Sequence, residues 1–272
     1  MAFVAQLVAA TALLVAPTTP GAAPRTGPTT APMPVPLVVG DGRTVHLISL
    51  GGPRTDGLLA RIGGDIGDAV SAVEKFWGTD WDRDIVVIAT DSDAQFVERA
   101  GLDPNRQWTD IAAVSVADHV DFEHHSAAGQ RIVLAPGAAA MSDVSLRIVL
   151  THELFHLAAR ADTAADAPRW LVEGVADFVA RPPAALPADA ASDTALPTDA
   201  ELDTAGPQRA MGYDRAWWFA RFVADTYGVD ALRTLYVAAA GPHHADFATA
   251  VRSALDTDPT ELRARWAQWL SR

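Results

Sequence analysis

Thr151-His152-Glu153-Leu154-Phe155-His156, set inside the apolar run 144–159, is the stretch from which the rest of the chain is read. At ~100° per residue, side chains four apart lie ~40° apart around a helix. His152 and His156 therefore project from one face, a turn apart, the separation at which two imidazoles hold one metal ion. Glu153 is rotated away from that pair. It is poorly placed as a further ligand, but it reaches a water held in an open metal position and can take its proton. Leu146, Ile148, Val149, Leu150, Leu154, Phe155 and Leu157 surround the motif on nearly every face, so the helix is expected to be buried. Burying two imidazoles and a carboxylate without partners costs several kcal/mol. A metal ion removes that cost.

A second helix is expected over 168–180, opened by Pro168, which suits a first-turn position. Leu171, Val172, Val175, Phe178 and Val179 form its apolar side. Glu173 lies among them, and Asp177, four residues on, faces the same way. Two acids amid apolar residues need a partner, and a zinc ion one helix away supplies it.

Trp170-Leu171-Val172-Glu173-Gly174-Val175-Ala176, downstream of the H-E-x-x-H stretch, resembles the signature of the gluzincin metallopeptidases, in particular the small peptidase-MA-like domains of bacteria. The two motifs cover only about thirty residues, and elsewhere the resemblance lies in the order of strands and helices. It implies that His152, His156 and Glu173 bind Zn2+ and that Glu153 is the general base. Asp177 matches an aspartate that in some gluzincins contacts a ligand histidine. The resemblance also implies a hydrogen-bond donor from the C-terminal lobe that steadies the developing oxyanion, commonly Tyr or His. Tyr213 is the candidate, with His243 and His244 as the others, and packing at a helix end is the plainer role for Tyr213.

Composition narrows the partners. The 272-residue chain carries a net charge of −13 and a single lysine, Lys75, which argues against nucleic acid, since phosphate binding needs clustered cations. It has no cysteine, so any zinc must be held by His, Glu or Asp. Residues 2–16 form an apolar run shorter than a membrane span and suited to the core of a signal peptide, although no basic residue precedes it. Residues 1–23 are read as a signal peptide or a retained anchor, with a buried hydrophobic N-terminus as the remaining alternative. The Pro/Thr-rich stretch 24–42 is read as a linker that sets the folded part away from a membrane or cell wall. Export from the cytoplasm follows from that reading.

The folded part is expected to be α+β and zincin-like. A small mixed sheet packs on the H-E-x-x-H helix within 43–182, an acidic loop spans 183–209, and a helical C-terminal lobe spans 210–272. Zinc is expected in the cleft between two lobes. Strands are expected at 44–50, 85–89, 111–117 and 131–135, and helices at 56–77 and 92–100. The stretch 111–117 is expected to be the edge strand that receives an extended substrate through main-chain hydrogen bonds. Between it and 131–135 lies a polar loop with His119, Asp121, Glu123, His124 and His125, read as a solvated hairpin tip rather than a metal site. The expected function is zinc-dependent hydrolysis of a peptide or protein substrate. Two other readings stand beside it, a secreted zinc-stabilised binding or scaffold domain without turnover, and a hydrolase of a non-peptide amide. An intact Glu153 speaks against the scaffold.

Overall fold

The computed structural model describes residues 36–105, 108, 110–203 and 206–272. The expected signal peptide or anchor, and the linker as far as residue 35, lie outside the described residues. In chain order the strands are β1 (Leu37–Val39), β2 (Arg43–Ser49), β3 (Asp84–Ala89), β4 (Ala113–Val116), β5 (His119–Asp121), β6 (Ser126–Ala128) and β7 (Arg131–Leu134). The α-helices are α1 (Pro53–Trp77), α2 (Asp93–Ala100), α3 (Asp143–Ala158), α4 (Arg169–Ala180), α5 (Asp199–Asp203), α6 (Pro207–Tyr227), α7 (Val229–Ala240), α8 (Phe247–Leu255) and α9 (Pro259–Leu270). The chain is thus mixed α and β, with a small mixed sheet followed by helices.

Five strands run in the order β1-β2-β3-β7-β4. β3 is parallel to both β2 and β7, and the outer strands β1 and β4 are antiparallel to their neighbours. The position of β3 follows from its sequence: Ile85-Val86-Val87-Ile88-Ala89 is an uninterrupted apolar run, as an interior strand covered on both faces requires. The parallel β2–β3 connection is made by α1. Its apolar residues Leu58, Leu59, Ile62, Ile66, Val70 and Val73 recur at helical spacing and are buried. Pro53 sits in its first turn, where the missing N–H costs nothing.

α1 lies along α3, and two ion pairs set the register between them: Arg61 Nε to Asp143 at 2.8 Å and Arg147 Nη2 to Asp65 at 2.7 Å. Both are partly solvated, so they fix alignment more than they add stability. Ser142 caps α3 by accepting from the Ser145 N–H at 3.2 Å. Trp77, Phe155 and Tyr236 meet edge to face and join α1, α3 and α7. α4 packs between α3 and α6, and Gly174 is what lets it approach α6 so closely. A Cβ there would lie 2.4 Å from the Ala216 carbonyl oxygen.

Three expectations need correction. The linker was expected to run to residue 42, yet β1 falls within it. Gly40 and Gly42 take positive φ and turn the chain so that Leu37–Val39 pairs with β2. A three-residue strand beside a Pro-rich stretch shows no periodicity to read. The acidic segment 183–209 is not a bare loop: it carries α5 and is tied to its surroundings. The Trp170 N–H donates to Asp199, Arg169 pairs with Asp203, and Arg215 pairs with both Glu201 and Asp193. The acids that make it look like a solvated loop are the groups that dock it. Finally, the apolar core runs without a break from the sheet through α1, α3 and α4 into α6–α9, so the two expected lobes share one core.

Candidate metal centre

α3 and α4 supply the centre. His152 is on the third turn of α3 with His156 one turn on, and Glu173 faces them from α4. His152 and Glu153 are fully buried, and Glu173, Asp177 and His156 nearly so. His152 Nε2 lies 3.0 Å from His156 Nε2 and 3.2 Å from Glu173 Oε2, and His156 Nε2 lies 3.8 Å from that same oxygen. Among the described residues this trio is the set of His and carboxylate groups that could hold a metal ion.

Asp177 fixes the orientation. His152 Nδ1–H donates to Asp177 Oδ1 at 2.9 Å, because a carboxylate can only accept. With that proton placed, the neutral His152 ring turns a lone pair at Nε2 toward the His156 ring and the Glu173 carboxylate. Lone pairs that converge in a dry interior repel unless a proton or a cation sits among them. In the metal-free protein the proton takes that place. Burial opposes charge on His152, but Asp177 and Glu173 outweigh it and raise the ring to about 10. Burial would raise Glu173, and His156 and His152 instead bring it down to about 2. Burial holds His156 down to about 4, so its ring is neutral.

Glu153 is different in kind. Both of its carboxylate oxygens are buried and no side chain bonds to them, and the Ser115 main chain is the donor that faces the carboxylate. Burial pushes it up to about 7, against the pull of His152 and Arg160. A carboxylate so poised exchanges a proton near neutrality. Tyr213, on the second turn of α6, is 2 % exposed and its hydroxyl also lacks a partner. Burial, then the nearby Glu173 carboxylate, keeps that phenol protonated. His243 is exposed, and His244 uses its ring on the Ala245 carbonyl and on Asp166.

β4 is the edge strand beside β7, and its Ser115 is bonded to Arg160 just past the end of α3. That puts the expected substrate strand next to the motif. The polar loop 118–130 forms a small hairpin of its own, β5 with β6. Its histidines are satisfied one by one, His124 by Asp121 at 2.8 Å and His125 by Asp162 at 2.7 Å.

Two residues at the centre escape a reading of the sequence. Arg181 grips Asp177 Oδ2 at 2.7 Å, also pairs with Asp214, and lies over the Trp217 ring. Arg160 is buried against β4. Each stands four residues after a residue of the centre, Asp177 and His156 respectively, and that spacing was the available signal.

No family model, curated protein or solved structure matches this chain. What the centre does must therefore be argued from its own atoms.

Proposed function

We propose that the chain is a zincin-like zinc metallopeptidase that hydrolyses peptide bonds, with His152, His156 and Glu173 as metal ligands and Glu153 as general base. One observation carries the reading: three buried ligand atoms converge beside a buried carboxylate that no side chain engages. A tetrahedral ion with bonds of ~2.0–2.1 Å sets its ligand atoms ~3.3 Å apart, which the observed separations of 3.0, 3.2 and 3.8 Å bracket. Two imidazoles and one carboxylate also make a common donor set of catalytic zinc, with a fourth position left for water or substrate.

When bound, zinc supplies a Lewis acid that acidifies water toward a pKa of about 7 and polarises a carbonyl. The remaining work falls to the chain. Asp177, itself held by Arg181, keeps His152 in one tautomer and one orientation. Glu153 takes a proton from the attacking water and later delivers it to the leaving amine. Tyr213 offers its hydroxyl to the carbonyl oxygen as negative charge builds there. The surrounding apolar residues exclude bulk water and strengthen each of these interactions. The mixed sheet with an antiparallel edge strand against the motif helix suits the zincin-like arrangement.

Full burial of the trio favours one other reading, a zinc held for structure alone. Structural sites need no fifth group, however, and a buried Glu153 that no side chain engages would only be a cost in them. Replacement tests the choice. Glu153→Gln should retain one zinc per chain and lose nearly all cleavage of a proteome-derived peptide library. Equal cleavage by native and variant protein would refute the assigned mechanism, and zinc binding without cleavage by the native protein would favour the scaffold.

A further inference from the structure

Arg160 is a buried cation with capacity to spare. It follows His156 by four residues and so continues the His152–His156 row about one turn toward β4. It is 4 % exposed. One nitrogen, Nη2, makes both of its hydrogen bonds, to the Ser115 carbonyl at 2.7 Å and the Ser115 hydroxyl at 3.1 Å. Nε is buried without a partner. Arg181, the other guanidinium of the centre, spends its charge on Asp177 and Asp214. Arg160 has no such carboxylate bonded to it among the described residues, and the acid that acts on it most strongly is Glu153. A buried, unpaired guanidinium is costly, and its planar fork matches a carboxylate.

The edge of β4 bears on the same point. The Ala112 carbonyl accepts from the Ala135 N–H, and Ala113 stands opposite Leu134. By antiparallel alternation the main-chain groups of Ala113 and Ser115 then point off the sheet. Arg160 already occupies the Ser115 carbonyl. A polypeptide laid along the whole edge, as internal cleavage requires, would have to displace it. A peptide that ends beside Arg160 would not.

Resting on the peptidase reading, we propose that Arg160 receives the free α-carboxylate of the substrate, so that the enzyme trims short peptides at or near their C-terminal end. In the reaction the scissile C–N bond breaks and the water oxygen bonds to the acyl carbon. Glu153 carries the water's proton to the amine, which departs bearing the carboxylate held by Arg160. Arg160 thereby selects the substrate and leaves the bond chemistry to Glu153.

The test uses N-acetylated tripeptides, each made as the free acid and as the C-terminal amide. Turnover is measured with the zinc-loaded native chain, and binding by calorimetry with zinc-loaded Glu153→Gln. The acids should be preferred about 30-fold or more in kcat/KM and in Kd, as expected for a hydrogen bond to a charged group. Arg160→Gln should abolish that preference while keeping zinc, and Arg160→Lys should restore part of it. If Arg160→Gln does not fold, the acid-to-amide ratio of the native chain decides. Acids and amides cleaved equally would overturn the proposal and leave the peptidase reading standing. A folded Arg160→Gln with the full preference would also overturn it. Preferential binding of acids with no cleavage would uphold the carboxylate site and sink the peptidase reading, and neither binding nor cleavage would sink both.

Discussion

Removing the Asp177 side chain tests how the centre is built. Asp177 Oδ1 accepts from His152 Nδ1–H at 2.9 Å, and Oδ2 meets Arg181 Nη2 at 2.7 Å. The His152 contact is a buried hydrogen bond, where one to a charged group is worth roughly 1.5–3 kcal/mol, and the Arg181 contact is a partly buried ion pair. In Asp177→Ala the His152 ring loses the acceptor that fixes its tautomer and orientation. The metal-free protein makes the same bond, so only the part that zinc strengthens enters the affinity, and losing such an outer partner costs roughly 10- to 100-fold in zinc binding. Asp177→Asn keeps an acceptor but not the charge, so its loss should be smaller. Arg181 retains Asp214 in both variants, which limits the damage to the fold. Competition against a chelator of known affinity measures the effect, with unfolding of the metal-free variants followed separately. Zinc affinity in Asp177→Ala within about twofold of native would refute the claim that this carboxylate orients the ligand.

Other consequences follow from the same atoms. In the metal-free chain His152 is raised to about 10 and so stays protonated at neutral pH. It must lose that proton to ligate, so apparent zinc affinity should rise at least about tenfold per pH unit between pH 7 and 9, measured by competition at fixed free zinc. A flat profile would contradict the His152–Asp177–Glu173 arrangement. Tyr213→Phe should lower kcat by about 10²-fold with little change in KM. Its hydroxyl has no partner to lose, so folding and zinc content should be retained, and unaltered kcat would leave Tyr213 as packing.

The centre was legible because its chemistry is local in sequence. The i,i+4 histidines need only a helix to meet, and Glu173 and Asp177 stand out as acids in an apolar helix. The interior strand β3 and the helix α1 were legible for the same reason: each carries its own local signal, an unbroken apolar run in β3 and helical spacing in α1. What escaped depends on partners distant in the chain. β1 is three residues long and becomes a strand only by pairing with β2. The acids of 183–203 read as solvated until Arg169 and Arg215 are brought against them. Arg160 and Arg181 near helix ends read as ordinary complements to the helix dipole, and their burial is decided by β4 and α6. The shared core was invisible because α4 and α6 meet closely, at Gly174, only in the folded chain.

Crystals grown with zinc and measured at the zinc absorption edge test the central claim most directly. The account predicts one strong anomalous peak per chain, ~2.0–2.2 Å from His152 Nε2, His156 Nε2 and Glu173 Oε2, with Glu153 beside it and not bonded to it. A peak coordinated by Glu153 in place of Glu173, or zinc bound elsewhere with this trio left metal-free, would contradict it.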